Sequence, residues 1–97
     1  MANNRVSKVK SISSTALVIA GPVYLLSLHI TATATATALI QDTAAGGGTD
    51  IMKLGCVANG ADNWVAGAAA GVYFANGIYA TLAGAGIILT TEYIGTV

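Results

Sequence analysis

Residues 16–42 read ALVIAGPVYLLSLHITATATATALIQD, and the conformation of this stretch decides the fold of the chain. Between Ile30 and Ala38 every second residue is a threonine, and the residues between the threonines are alanines. This period of two places the threonines on one face of a β-strand and the alanines on the other. A helix would scatter the threonines around its surface, and their branched side chains disfavour helical backbone. The stretch therefore predicts β-strands.

The stretch is too long to be one strand. A single strand from Val23 to Gln41 would be about 60 Å long at about 3.3 Å per residue, several times the usual length. The chain must therefore turn inside the Thr/Ala run, and we predict a hairpin with its tip near residues 33–35. Upstream of this tip, the side chains expected to share one face are Tyr24, Leu26, Leu28 and Ile30.

The rest of the chain consists of short apolar segments separated by turn signals rich in glycine. These signals lie at residues 21–22, 42–50, 59–60, 76–77 and 83–86. Residues 76–77 either close a tight hairpin or bend the chain into a strand over 78–82. Residues 67–71 are expected to be irregular, or to form a strand that lies close to another backbone. The pattern predicts an all-β fold, a single small β-sandwich that is jelly-roll-like, with about seven or eight short strands and an extended N-terminal arm.

We expect a boundary near residue 13, with an extended basic arm over residues 1–13 and the sandwich domain over residues 14–97. Arg5, Lys8 and Lys10 provide three of the four basic residues of the chain. They are candidates for binding an acidic partner. Two other interpretations remain open: a solvated terminus, or a short edge strand whose lysines discourage pairing with other chains.

Composition excludes several classes of function. Apolar residues make up 55% of the chain and charged residues only 8%, whereas about a quarter is usual for a soluble domain. Such a surface is expected to be covered by copies of itself, by neighbouring proteins or by lipid. The net charge is zero, so nucleic acid is not an expected partner. Cys56 is the single cysteine, which excludes a disulfide within the chain.

No catalytic set can be recognised. The triple glycine at residues 46–48 is followed by Thr-Asp rather than Gly-Lys-Ser/Thr, which argues against a phosphate loop. His29 is expected to be an ordinary imidazole in a strand. We therefore predict that the chain is not an enzyme and has no cofactor and no small-molecule substrate. A weak alternative is a calcium ion at a subunit boundary, held by loop carboxylates. The carboxylates considered are Asp42, Asp50 and Asp62.

Four aromatic residues are candidates for core packing or for contacts between subunits, because aromatic side chains are enriched in both. They are Trp64, Tyr73, Phe74 and Tyr79.

The order of segments resembles that of small β-sandwich structural proteins in the virions of tailed bacteriophages, of the decoration or cement type. The similarity covers roughly residues 14–93 and concerns pattern rather than any catalytic motif. The segments that carry it are Gly21, Leu25-Leu26, the run to Asp42, Gly48-Thr49 before Ile51, GVYFANGIYA at 71–80, AGAG at 83–86, and Glu92-Tyr93.

This resemblance implies a capsid decoration protein that stabilises the head and is located in the virion after assembly in the host cytoplasm. Its expected partners are further copies of itself, as a trimer at a threefold capsid position, and the major capsid protein or other virion proteins. Two alternatives remain open. One is a structural protein of the neck or tail. The other is a small holin-like membrane protein with two spans, over residues 16–40 and 64–90.

Overall fold

The computed structural model describes residues 7–67 and 71–95, and all regular structure in these residues is β. Nine strands form two antiparallel sheets packed face to face, so the predicted all-β sandwich is confirmed, with nine strands rather than seven or eight. The strands are β1 (Lys8–Ile12), β2 (Ala16–Ala20), β3 (Val23–Ala32), β4 (Ala36–Asp42), β5 (Asp50–Cys56), β6 (Gly60–Val65), β7 (Val72–Phe74), β8 (Gly77–Ala83) and β9 (Ile88–Gly95).

The strand order is that of a jelly roll. The five-stranded sheet runs β1-β9-β3-β6, with β7 also pairing β3, and the four-stranded sheet runs β2-β8-β4-β5. Five of the strand pairings are those of one long hairpin whose tip is the loop at residues 43–49. They are β1–β9, β2–β8, β3–β6, β3–β7 and β4–β5. Wrapping this hairpin into two layers adds the pairs β9–β3 and β8–β4. Rolled hairpins of this kind are jelly rolls.

The core between the two sheets is built from the alternate residues of most strands. Its largest fully buried side chains are Phe74, Leu25, Leu28, Ile30, Ile40, Ile78, Leu89, Val18 and Thr91. In β9, Leu89, Thr91 and Tyr93 share the buried face, as their spacing in the sequence predicts.

In β3 the predicted alternation is only half correct. Leu25 pairs with Tyr93 and Ser27 pairs with Glu92, so the chain has an extra residue, Leu26, in a β-bulge. The bulge changes which residues face the core: Leu25 is buried before it, and Leu28 is buried after it. Tyr24 and Leu26 therefore do not share a face with Leu28 and Ile30. The prediction that all four side chains share one face is wrong.

The chain turns at residues 33–35, where the tip was predicted, but the prediction of a hairpin is wrong. β3 and β4 belong to different sheets and do not pair. Ala32 and Ala36 both face the core, with 6% and 2% of their surfaces exposed. The turn is therefore a corner at which the chain crosses from one layer to the other. A period of two indicates strands on both sides of a turn, but it is the same for a hairpin and for a corner.

A second corner packs on the first. Residues 84–86 connect β8 to β9, and the carbonyl oxygen of Ala85 accepts hydrogen bonds from the N–H groups of Thr33 at 3.2 Å and of Ala34 at 3.4 Å. A Cβ atom added to Gly84 would lie 2.7 Å from the Cβ of Ala36. The two corners lie so close together that larger side chains would not fit between them. This close contact explains why both the Thr/Ala run and the AGAG segment consist of small residues.

Three more local predictions differ from the structure or are resolved by it. Residues 60–65 form β6, which sequence analysis missed because glycine, alanine, aspartate and asparagine are poor strand formers. Residues 76–77 form a bend into β8 and not a hairpin, since β7 and β8 lie in different sheets. The irregular segment at 67–71 lies partly outside the described residues.

The two segments considered as transmembrane helices consist of strands joined by turns and bends in the residues that the structure describes. Within residues 7–67 and 71–95, no helix has the length and apolar character needed to cross a membrane.

Candidate functional site

The four candidate aromatic residues have different environments. Phe74 is 1% exposed and lies in the core, and Trp64 is half-buried and packs against the edge of that core. Tyr79 is half-buried on the outer side of the four-stranded sheet, where a Cβ atom on Gly46 would come within 3.0 Å of its ring. Tyr73 is 52% exposed, and its ring centroid lies 5.2 Å from that of Tyr24 on the outer side of the five-stranded sheet. Only Tyr73 is thus placed for contact with another molecule.

Part of the predicted arm is an edge strand. Lys8 and Lys10 belong to β1, at one edge of the five-stranded sheet, whereas Arg5 lies outside the described residues. Lys8 and Lys10 pair with Tyr93 and Thr91, so both lysines are on the side of β1 that faces the other layer. Charges in this position obstruct pairing with a strand from another chain.

The three carboxylates predicted to lie in loops belong to strands instead: Asp42 ends β4, Asp50 begins β5 and Asp62 lies inside β6. Each accepts hydrogen bonds from a different part of the chain. Asp42 accepts the N–H groups of Asn76 at 2.8 Å and Ala75 at 3.2 Å, which fastens the end of β4 to the bend before β8. Asp50 accepts the side-chain amide of Gln41 at 2.8 Å. Asp62 in β6 accepts the N–H of Asn63 at 2.9 Å and that of Gly55 in β5 at 3.5 Å.

In the parts of the chain that the structure describes, no three His, Cys, Asp or Glu side chains gather in a group that could hold a metal ion. Cys56 is buried and free, and His29 is exposed in the middle of β3.

The most distinctive surface is the outer side of the five-stranded sheet, which we name the open face. The strand register arranges it in four rows across the sheet. Row by row, its residues are Ile94, Tyr24 and Tyr73; Val9, Glu92, Ser27 and Val65; Ser11, Thr90, His29 and Asn63; and Ile88, Thr31 and Ala61. None of these side chains is buried.

The open face is apolar for an exposed surface. Six large apolar side chains are exposed among the described residues, and four of them lie on this face. The four are Val9 at 64%, Val65 at 68%, Tyr73 at 52% and Ile88 at 52%. Exposed apolar side chains concentrated on one side of a molecule mark a surface that contacts another molecule.

Four polar side chains of the open face are paired with one another. Ser11 and Thr90 share a hydrogen bond of 2.9 Å between their hydroxyls, and Ser27 donates to Oε1 of Glu92 at 3.1 Å. Polar groups that already have partners cost less to remove from water. His29 makes no side-chain hydrogen bond within the described residues, and the second carboxylate oxygen of Glu92 accepts none there.

The outer side of the four-stranded sheet is different. The loop at residues 43–49 folds over its end, with Gly46 against the ring of Tyr79. Gln41 is only 7% exposed there, held between Asp50 and the hydroxyl of Thr81, which lies 3.5 Å from its amide oxygen. Within the described residues, the chain thus covers part of one outer sheet surface and leaves the other exposed.

Comparison with protein-family models, with curated proteins and with solved structures found no match. The fold and the surfaces described above are therefore the basis of the function proposed below.

The open face is not evident from the sequence alone. Its residues come from five strands, and their positions relative to one another depend on the register and on the bulge at Leu26. One local signal was available: residues 88, 90 and 92 alternate with the buried face of β9, which assigns them to an outer surface.

Proposed function

We propose that this chain is a non-enzymatic structural protein of a tailed-bacteriophage virion, and that it decorates the capsid. The observation that carries the proposal is the jelly-roll topology combined with a sheet surface left open and nearly free of charge. The jelly roll is a common architecture of viral capsid proteins, although lectins and cupins also use it, so the fold supports the proposal by analogy only.

Such a protein acts by contact rather than by chemistry. Many copies bound to a shell add buried apolar area at each repeated contact, at about 25 cal/mol per Å². The contacts are multivalent, so modest affinity per copy still gives a stable assembly. The proposed partners are the major capsid protein, other virion proteins and further copies of this chain.

The lysines of β1 provide a second contact region in this proposal. Lys8 lies at the end of the sandwich beside a hollow that it lines together with Pro22 and Tyr93. With Lys10 it is placed to meet an acidic surface on the shell. Contacts between exposed charges mainly guide association and weaken at high salt.

The test is to locate the chain in purified particles of the virus that encodes it. We expect an antibody against the chain to detect it in particles by immunoblot and to place gold on the heads in electron micrographs. Gold confined to the neck or tail would replace the capsid role by the alternative structural role. Particles that lack the chain although infected cells contain it would overturn the virion assignment.

A further inference from the structure

The open face provides an inference that does not require the virion assignment. We infer that the open face is the contact surface of a two-fold symmetric dimer of this chain. In this dimer the imidazole of His29 in each copy donates a hydrogen bond to the carboxylate of Glu92 in the other.

The edges of the sandwich argue for association by a face rather than by strand pairing. Lys8 and Lys10 guard β1, and Asp62 in β6 is directed toward β5, where its carboxylate accepts the N–H of Gly55. Lys53 is exposed on β5, the edge of the four-stranded sheet. Charged residues on edge strands disfavour the addition of strands from other chains, and among the edge strands that the structure describes only the five-residue β2 and the three-residue β7 carry none. The open face, in contrast, has few charges that would oppose contact with a second copy. Apart from its tyrosines, the ionisable side chains among its residues are Glu92 and His29.

These two residues lie at the centre of the face. Glu92 pairs with Ser27, and His29 is two residues further along β3, so the two side chains are diagonal neighbours on the two central strands. The diagonal measures about 8 Å between Cα atoms in an ideal sheet. No ion pair links the two residues within the described part of one copy, so the imidazole and one carboxylate oxygen of Glu92 remain available to a partner.

Consider two copies with their open faces together and a two-fold axis in the plane between them. If this axis passes over the midpoint of the line from His29 to Glu92 and is perpendicular to that line, it exchanges the two positions. Each His29 then lies over Glu92 of the other copy, and one contact of the isologous interface generates the other. In ideal sheets the strands of the two copies would cross at about 70°, close to the orthogonal class of sheet packing.

The same operation matches the apolar residues. On an ideal grid of strands it brings Ile88 of one copy to within about 5 Å of the position of Val9 in the other. It brings Tyr73 equally close to Val65 of the other copy. The four exposed apolar side chains thus pair among themselves around the central polar contact, which is the usual division between anchoring and orienting contacts.

The overlapping area is that of a weak dimer. Four strands about 4.8 Å apart and four rows about 6.6 Å apart give a face of about 500 Å² per copy. Two such faces crossing at about 70° overlap over about 390 Å², so the dimer would bury about 800 Å² in total, the size of a weak and transient interface. We therefore expect a weak dimer in reversible equilibrium with the monomer.

Sedimentation equilibrium of the purified chain, from about 1 to 500 μM, tests the dimer. We expect a monomer–dimer equilibrium that Val65→Arg weakens at least tenfold. Val57→Arg is the matched control, because Val57 is 71% exposed, against 68% for Val65, but lies in a turn off the open face. A monomer at every concentration, a trimer, or equal effects of the two variants would overturn the inference.

A charge exchange tests the arrangement independently and also serves if Val65→Arg fails to fold. His29→Glu and Glu92→Lys should each weaken the dimer about tenfold, because each removes the His–Glu contact and H29E also faces like charges. The double variant should restore the affinity to within about threefold, since the carboxylate introduced at position 29 would then face the ammonium introduced at position 92. Losses that simply add in the double variant would exclude this dimer. A dimer with these properties remains supported even if the chain is absent from virions, so the two proposals fail separately.

Discussion

Thr91 is the residue whose environment is least satisfied. It is 0% exposed in the core, and its hydroxyl has no hydrogen-bond partner among the described residues. A buried hydroxyl without a partner costs roughly 1–3 kcal/mol relative to one that is hydrogen-bonded. Its neighbours in β9, Leu89 and Tyr93, face the same core, so the alternation of β9 explains burial at position 91 but gives no reason for a hydroxyl there.

We therefore expect Thr91→Val to stabilise the protein by about 1 kcal/mol, because valine keeps the shape of threonine and removes the unpaired hydroxyl. The measurement is urea unfolding followed by circular dichroism. Thr90→Val is the control, since Thr90 lies on the outer side of the same strand and bonds Ser11, and it should change stability by less than about 0.5 kcal/mol. A loss of stability in Thr91→Val would mean that the hydroxyl has a partner in solution.

At the scale of elements, the corners between the two sheets determine where glycine is required. Gly84 has φ of +132°, and a Cβ atom there would meet the backbone of Ala36 at 2.8 Å. At the opposite end of the sandwich, a Cβ atom on Gly21 would lie 2.6 Å from the nitrogen of Gly77. Each end therefore has two chain crossings in contact, and both contacts require residues without side chains.

Three glycine-to-alanine variants separate the causes of this requirement. Gly84→Ala should cost about 3 kcal/mol, because it combines an unfavourable φ with a clash against backbone. Gly47→Ala should cost about 1 kcal/mol, since Gly47 has φ of +76° but nothing within 4 Å of an added Cβ atom. Gly55→Ala should be nearly neutral, as its nearest neighbour would be 3.5 Å away. Equal costs for Gly84→Ala and Gly47→Ala, measured by urea unfolding, would contradict the corner contact.

The elements also show how far the sequence predicts the fold. Alternation and glycine-rich turns identified most of the strands and the turn at residues 33–35. They did not assign β3 and β4 to different sheets, because a corner and a hairpin have the same local pattern. They also missed β6, whose residues are held in a strand by pairing with β3 rather than by their own preference. Identifying the open face requires both the assignment of strands to sheets and the position of β6, and these are known only from the structure.

For the whole molecule, the wrapped hairpin brings the two ends of the described chain together. Lys8 of β1 pairs with Tyr93 of β9, so the chain enters and leaves the five-stranded sheet at one end of adjacent strands. The loop at residues 43–49 is the tip of the hairpin, and Gly47 in it is exposed, with nothing within 4 Å of an added Cβ atom. Ala85, in contrast, holds two corners together through its carbonyl oxygen.

This topology predicts the outcome of two circular permutations in which a Gly/Ser linker joins the original ends. Opening the chain between Gly47 and Gly48 should leave the β-sheet spectrum and cooperative unfolding intact, because every strand pair is kept and new ends are tolerated at exposed loop tips. Opening it at Ala85 should lower the melting temperature by more than about 10 °C or prevent folding, because the two corners lose their shared hydrogen bonds. Circular dichroism melts of both permutants provide the measurement. If the two permutants were equally stable, the contact between the two corners would not contribute to the stability of the sandwich.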